Sequence, residues 1–114
     1  MTKIPLPGEP MKGSASGRPI IAALHLLSRR WILRIIWELR DGALGFRELQ
    51  NRCEKMSPDT LSTRLSELKL VRIVETNEQG HWQLTPLGYA MEPALVSLNG
   101  WSESWAKHLE KGNS

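Results

Sequence analysis

Met56-Ser57-Pro58-Asp59-Thr60-Leu61-Ser62-Thr63-Arg64-Leu65-Ser66-Glu67-Leu68 opens with a helix start. Ser57 can cap the first turn, Pro58 suits a first helical position where a missing N–H costs nothing, and Asp59 complements the positive end of the dipole. Met56 before the cap and Leu61 at the fourth helical position have the spacing of a hydrophobic staple. Leu61, Leu65 and Leu68 recur at four and three residues and form an inner face. Asp59, Thr60, Thr63 and Glu67 lie opposite, with Ser62 and Arg64 on the flanks. The spacing predicts one helix over about 57–69, leucine on one side and short hydroxyls with one long cation on the other.

Upstream, Phe46, Leu49 and Cys53 share a face, with Arg47, Glu48, Asn51 and Arg52 away from it, which predicts a short helix over 46–53. Before that, Trp31, Ile32, Leu33, Ile35, Ile36, Trp37 and Leu39 occupy most of a helical wheel and leave Arg34 and Glu38 as a narrow polar stripe. This is the pattern of a buried central helix, stopped by Asp41-Gly42. A first helix is expected over 19–28, with Pro19 at its start and Ile20, Ala23, Leu24 and Leu27 at helical spacing. Residues 1–18, punctuated by Pro5, Pro7, Gly8, Pro10, Gly13 and Gly17 and made basic by Lys3, Lys12 and Arg18, read as a flexible arm.

Downstream, residues 71–76 are β-branched and extended, Asn77-Glu78-Gln79-Gly80 is turn chemistry, and residues 81–85 alternate, so a hairpin is expected. Thr85 can cap a last helix with Pro86 at its first position. Leu87, Met91, Leu95, Leu98, Trp101 or Ser102, Trp105 and Leu109 continue the stripe over about 86–110. Pro93 should kink that helix, and Gly100 should weaken it or admit another backbone. The chain thus divides into an arm, 1–18, and one domain, 19–110.

Composition excludes more than it selects. With 114 residues, 40% hydrophobic and 24% charged, one compact domain with a real core is expected. No apolar run approaches the roughly 20 residues of a membrane span, and no secretory signal opens the chain, so a cytoplasmic protein is expected. The single cysteine can form no internal disulfide, and the three histidines, His25, His81 and His108, show no metal spacing. Neither a nucleophile elbow nor a phosphate-cradling glycine loop is present, so no enzyme activity, metal or cofactor is expected. The net charge is +3, concentrated centrally in Arg29, Arg30, Arg34, Arg40, Arg47, Arg52, Lys55, Arg64, Lys69 and Arg72. Arginine-rich excess favours a polyanion partner, although a solvated charged surface accounts for it equally.

Three helices, a hairpin and a further helix give a mainly α (α+β) fold, a winged helix-turn-helix with a two-stranded wing and a long C-terminal helix. The residues sharpen this. Arg30-Trp31-Ile32-Leu33, Gly45-Phe46-Arg47-Glu48-Leu49, Met56-Ser57-Pro58 with Leu61, Arg64-Leu65 and Glu67-Leu68, then Leu84-Thr85-Pro86-Leu87-Gly88 and Glu92-Pro93 ahead of Trp101, resemble the HxlR family of bacterial and archaeal transcriptional regulators. The resemblance covers nearly all of 20–105. It implies a homodimer joined by the N-terminal segment and the C-terminal helix, with helix 57–69 reading double-stranded DNA in the major groove. The long stripe points independently to a partner surface built from Leu95, Leu98, Trp101 and Trp105, the alternative being that the tryptophans fold back on their own core.

Arg47, Arg64 and either Arg29 or Arg30 are the expected phosphate clamps, fixing register without reading sequence. Ser57, Pro58, Asp59, Thr60, Ser62 and Thr63 occupy the leading, outward part of the reading helix, where hydroxyls reach bases or phosphates. Asp59 either accepts from a cytosine amino group or simply compensates the dipole, and Arg64 could instead reach a guanine edge.

The chain also departs from the pattern. It has no cysteine before Cys53, where many members of the family carry one, and Cys53 itself reads as a small core residue, which disfavours thiol sensing. Only Lys69 separates Leu68 from Leu70, where relatives have several residues ending in glycine, so a tighter helix exit is expected. Glu75 and Glu78 make the wing acidic and a poor match for phosphates. A repressor is the expected mode. The rival reading is a winged-helix protein-interaction module without specific DNA binding, motivated by Asp59, Glu67 and the acidic hairpin. A third reading has Trp31, Trp37 and Trp82 enclosing an unidentified small-molecule effector, though at their spacing they also suit the core.

Overall fold

The computed structural model describes residues 18–112, so the arm expected over 1–18 lies outside the described residues except for Arg18. The order is α1 (Pro19–Leu27), α2 (Ile32–Leu39), α3 (Phe46–Arg52), α4 (Pro58–Leu70), β1 (Val74–Thr76), β2 (Trp82–Leu84), α5 (Pro86–Tyr89) and α6 (Glu92–Gly112). This is the expected winged helix-turn-helix. Its centre is α2, whose Ile32, Ile35, Ile36 and Leu39 are fully buried against Leu49, Leu61, Leu65, Leu68 and Val74. The isoleucines and leucines crowd three sides of α2, so the helix has to be wrapped by its neighbours to lose that apolar surface. Trp31, Trp37 and Trp82 are half-buried and pack against this core.

The polar stripe of α2 fixes the turn that precedes α4. Arg34 donates to Glu38 at 2.8 Å, to Glu54 at 3.0 Å and to the Arg52 carbonyl at 2.7 Å. Glu54 and Lys55 both sit in the left-handed region, at φ 58 and 57. A side chain there costs roughly 1–2 kcal/mol, and the turn is kept by the Arg34 contacts and by Gln50 Nε2 donating to the Met56 carbonyl at 2.9 Å.

The exit from α4 comes one residue beyond the expected 69. The helix runs on to Leu70, and Ile73 N donates to the Leu68 carbonyl at 2.9 Å while Arg72 N donates to the Lys69 carbonyl at 3.0 Å. This paired pattern is a Schellman motif, with buried Ile73 and Leu68 as its apolar pair. The left-handed position, φ 66, is filled by Arg72 where glycine is usual. Arg72→Gly is therefore expected to stabilise the fold by about 1 kcal/mol, seen as a higher urea midpoint with an unchanged slope.

Strands β1 and β2 pair antiparallel with Val74 opposite Leu84 and Thr76 opposite Trp82. The strands are shorter than the expected 71–76 and 81–85, because 71–73 are spent closing α4. Asn77 Oδ1 accepts from Gln79 N at 2.9 Å and from His81 N at 3.0 Å and so shapes the tip. A single-residue bridge, Leu44 to Trp82, ties the wing to the α2–α3 connection.

The last helix expected over 86–110 is two helices. Proline at 93 cannot donate to the Tyr89 carbonyl, and its ring would collide with it, so helix α5 ends and α6 begins with Pro93 in its first turn, where no donor is needed. Thr85 Oγ1 caps α5 by accepting from Gly88 N at 3.1 Å, and it donates to the Arg72 carbonyl at 2.7 Å. No helix among the described residues is long and apolar enough to cross a membrane, and no group of His, Cys, Asp or Glu among them could hold a metal ion.

Candidate nucleic-acid interface

Helix α4 is held from behind by Leu61, Leu65 and Leu68, all fully buried, and by the buried Met56 ahead of its start. Ser57 Oγ accepts from Thr60 N at 3.4 Å. With the inner face so fixed, Ser57, Pro58, Asp59, Ser62 and Thr63 are exposed together at the leading end of the helix, and Thr60 is half-buried beside them. Ser66 is exposed as well and extends the row of hydroxyls. Its spacing of four from Ser62 and three from Thr63 was the signal that places it there. Arg47, in the first turn of α3, and Arg30, before α2, are also exposed. The Arg30 guanidinium lies 5.7 Å from the centroid of the Trp31 ring.

Two expectations about this surface change. Glu67 does not face outward with the hydroxyls: it is buried, and each of its oxygens takes one arginine. Arg29 Nη2 lies 2.5 Å from Oε2, and Arg64 Nη1 lies 2.6 Å from Oε1. Its place on the wheel is beside Thr60 and Arg64, the side turned toward the α1–α2 junction, and a buried carboxylate survives there only because it is paired. Of the charges that motivated an interaction module, Glu67 is thus not on the outer face, while Asp59 and Glu78 are exposed. Arg64, expected as a phosphate clamp or a guanine contact, is engaged through the same carboxylate, with a side chain 21% exposed.

Burial pushes the Glu67 carboxyl up, but hydrogen bonds and charge from Arg64 and Arg29 outweigh this and hold it below the usual carboxylate value. A carboxyl with a folded pKa below its unfolded one contributes stability above the unfolded value, near 4.5, and that contribution is lost as pH falls through the lowered folded value. The melting temperature is expected to fall more steeply below about pH 4.5 in the wild type than in Glu67→Gln, as followed by circular dichroism between pH 7 and pH 3.

The wing carries Glu75, which accepts from Gln83 Nε2 at 2.8 Å, and the exposed Glu78. Neither is a phosphate ligand. Cys53 is fully buried at the end of α3, where desolvation pushes its thiol up and outweighs the nearby Arg34.

On the opposite side of the domain, α6 leaves the core after one buried residue, Leu95. Leu95 was expected in a partner interface and belongs instead to this chain's own core. Beyond it Leu98, Trp101, Trp105 and Leu109 are 46%, 59%, 54% and 51% exposed. Trp101 and Trp105 stack on each other with ring centroids 5.4 Å apart. On α1, Ile20 and Leu24, one turn apart, are exposed too. The tryptophans therefore do not fold back on the core.

The family of HxlR-like helix-turn-helix proteins matches residues 26–110. The uncharacterized HTH-type transcriptional regulator YvaP of Bacillus subtilis (strain 168) is 33% identical over 89 residues, 73% of this chain and 82% of YvaP. Among solved structures, quinone-bound YodB of B. subtilis superposes with a TM-score of 0.68 at 30% identity, covering 75% of this chain and 94% of YodB. The redox regulator HypR in its reduced form gives 0.70 at 26% identity, covering 82% and 98%.

Proposed function

Because this chain belongs to the HxlR-like helix-turn-helix family of transcriptional regulators, we propose that it binds double-stranded DNA sequence-specifically as a homodimer and represses transcription by occluding its site. The single observation that carries this is the row of exposed Ser57, Asp59, Ser62, Thr63 and Ser66 on a helix anchored by three buried leucines. Short hydroxyls at such a surface accept from and donate to base edges, and threonine methyls touch thymine. Arg47 and Arg30 supply phosphate contacts on either side, which position without reading sequence. Arg64 is left out of this contact set because its guanidinium is engaged by Glu67. Asp59 compensates the dipole of α4.

The apolar band of α6 and the Ile20–Leu24 edge of α1 form the partner surface, which sets two reading helices about one DNA turn, roughly 34 Å, apart. The quinone binding of YodB and the redox regulation of HypR are not carried over. The one cysteine of this chain is fully buried with a thiol that resists ionisation, the opposite of a reactive sulfur.

Selection of duplexes from a random library at physiological salt tests the reading. A two-fold symmetric motif should be enriched, its affinity should fall steeply with salt, and Thr63→Ala should cost about 1–3 kcal/mol at one base position. The absence of any enriched motif would overturn specific binding and favour a protein partner.

A further inference from the structure

Glu67 is the one charged residue among the described residues that is buried, and it joins the junction between α1 and α2 to the middle of α4. We infer that Glu67 is a specificity-determining residue that withholds Arg64 from DNA. The inference rests on α4 being the reading helix.

Arg64 projects from the flank of α4 beside Asp59, Thr60 and Thr63, with which it lines a shallow concavity at the surface. A guanidinium at that place, if released, would find the phosphates that border the groove. Released arginine binds any sequence, since phosphate carries no sequence information. Bound to the carboxylate, it adds nothing to grip on random DNA, and recognition is left to the hydroxyl row. The Nε atoms of both Arg29 and Arg64 are buried with no hydrogen-bond partner. The arrangement is therefore held by charge on one carboxylate, not by complete hydrogen bonding, and it fails when that charge is removed. A neutral amide at 67 accepts from one arginine and turns its own donors on the other, so one guanidinium is expelled.

The test uses Glu67→Gln in the full chain, against the selected duplex and a random-sequence duplex across a salt series. Expected are several-fold tighter binding to random duplex at low salt, a salt slope steeper by about one, as one added phosphate contact gives about 0.9, and a narrower ratio between the two duplexes. Adding Arg64→Ala to Glu67→Gln should return the slope to the wild-type value. A merely structural role for Glu67 would instead weaken both duplexes with the slope unaltered, and that result overturns the inference. If Glu67→Gln does not fold, Arg64→Ala alone decides. A slope changed by less than about 0.3 supports withholding, and a slope lower by about one shows that the arginine already holds a phosphate, which overturns it. Wild-type protein that binds no duplex sinks the DNA-reading proposal and this one together. Wild-type binding with no change of slope in Glu67→Gln sinks this one alone.

Discussion

Trp101→Ala with Trp105→Ala is expected to convert the proposed dimer to a monomer at micromolar concentration. The two rings stack 5.4 Å apart and stand more than half exposed on a helix whose one buried residue, Leu95, lies near its start. A buried interface tryptophan typically costs 2 kcal/mol or more when truncated, and twofold symmetry presents the pair twice. Four such truncations sum to about 8 kcal/mol, and because such values do not add fully, even half of that, about 4 kcal/mol, loosens dissociation about a thousandfold. The same change should leave the unfolding free energy of the monomer almost untouched, because surface substitutions away from a core stay within about 0.5 kcal/mol. Sedimentation or light scattering reads the mass, and denaturant titration of the monomeric variant, against wild type diluted below its dissociation constant, reads the core. An unchanged mass would remove the α6 band from the dimer interface. Binding to a two-fold symmetric duplex should fall with the dimer, since the second half-site is then no longer delivered by linkage to the first.

Gly88→Ala is expected to be the most damaging one-methyl substitution in the domain. A Cβ built on Gly88 lies 2.4 Å from the Ile73 carbonyl oxygen and 3.0 Å from Leu84 Cβ. That carbonyl cannot step aside, because it already accepts from Thr85 N at 3.0 Å. Helix α5 would have to shift as a unit, and α6 starts three residues beyond its end. Overpacking of this kind costs about 1–3 kcal/mol or more, which for a domain of this size lowers the melting temperature by about 4–8 °C per kcal/mol. Gly100→Ala is the control: a Cβ there meets nothing within 4 Å, so the helix should gain, by up to about 1 kcal/mol. A melting temperature for Gly88→Ala within a degree of wild type would show that α5 is not wedged between Ile73 and Leu84.

How far the sequence reaches depends on how far apart the interacting residues stand. The start of α4 was legible because Ser57, Pro58 and Asp59 act on the turn they occupy, and its inner face because Leu61, Leu65 and Leu68 repeat at the helical period. The break before α6 was hidden in an unbroken apolar stripe, so Pro93 read as a kink when it is a start. The end of α4 was legible to within a residue, but the left-handed closure after it was hidden because Arg72 fills a position that glycine usually announces. The bridge from Leu44 to Trp82 has no periodicity at all, being one residue long.

The candidate interface divides in the same way. Consecutive residues determined that 57–69 would be a helix with hydroxyls on one side, that a hairpin and a further apolar stripe would follow, and that a single cysteine could close no internal disulfide. Tertiary structure alone decided that Glu67 turns inward, since its partner Arg29 is 38 residues away. It likewise decided that Leu95 belongs to the core while Trp101 and Trp105 stand clear of it. Caps and periodicity act through the backbone of a single turn, so neighbouring residues encode them. The surroundings of a charge or of an apolar side chain are set by whatever the fold brings against it, and no stretch of sequence contains that.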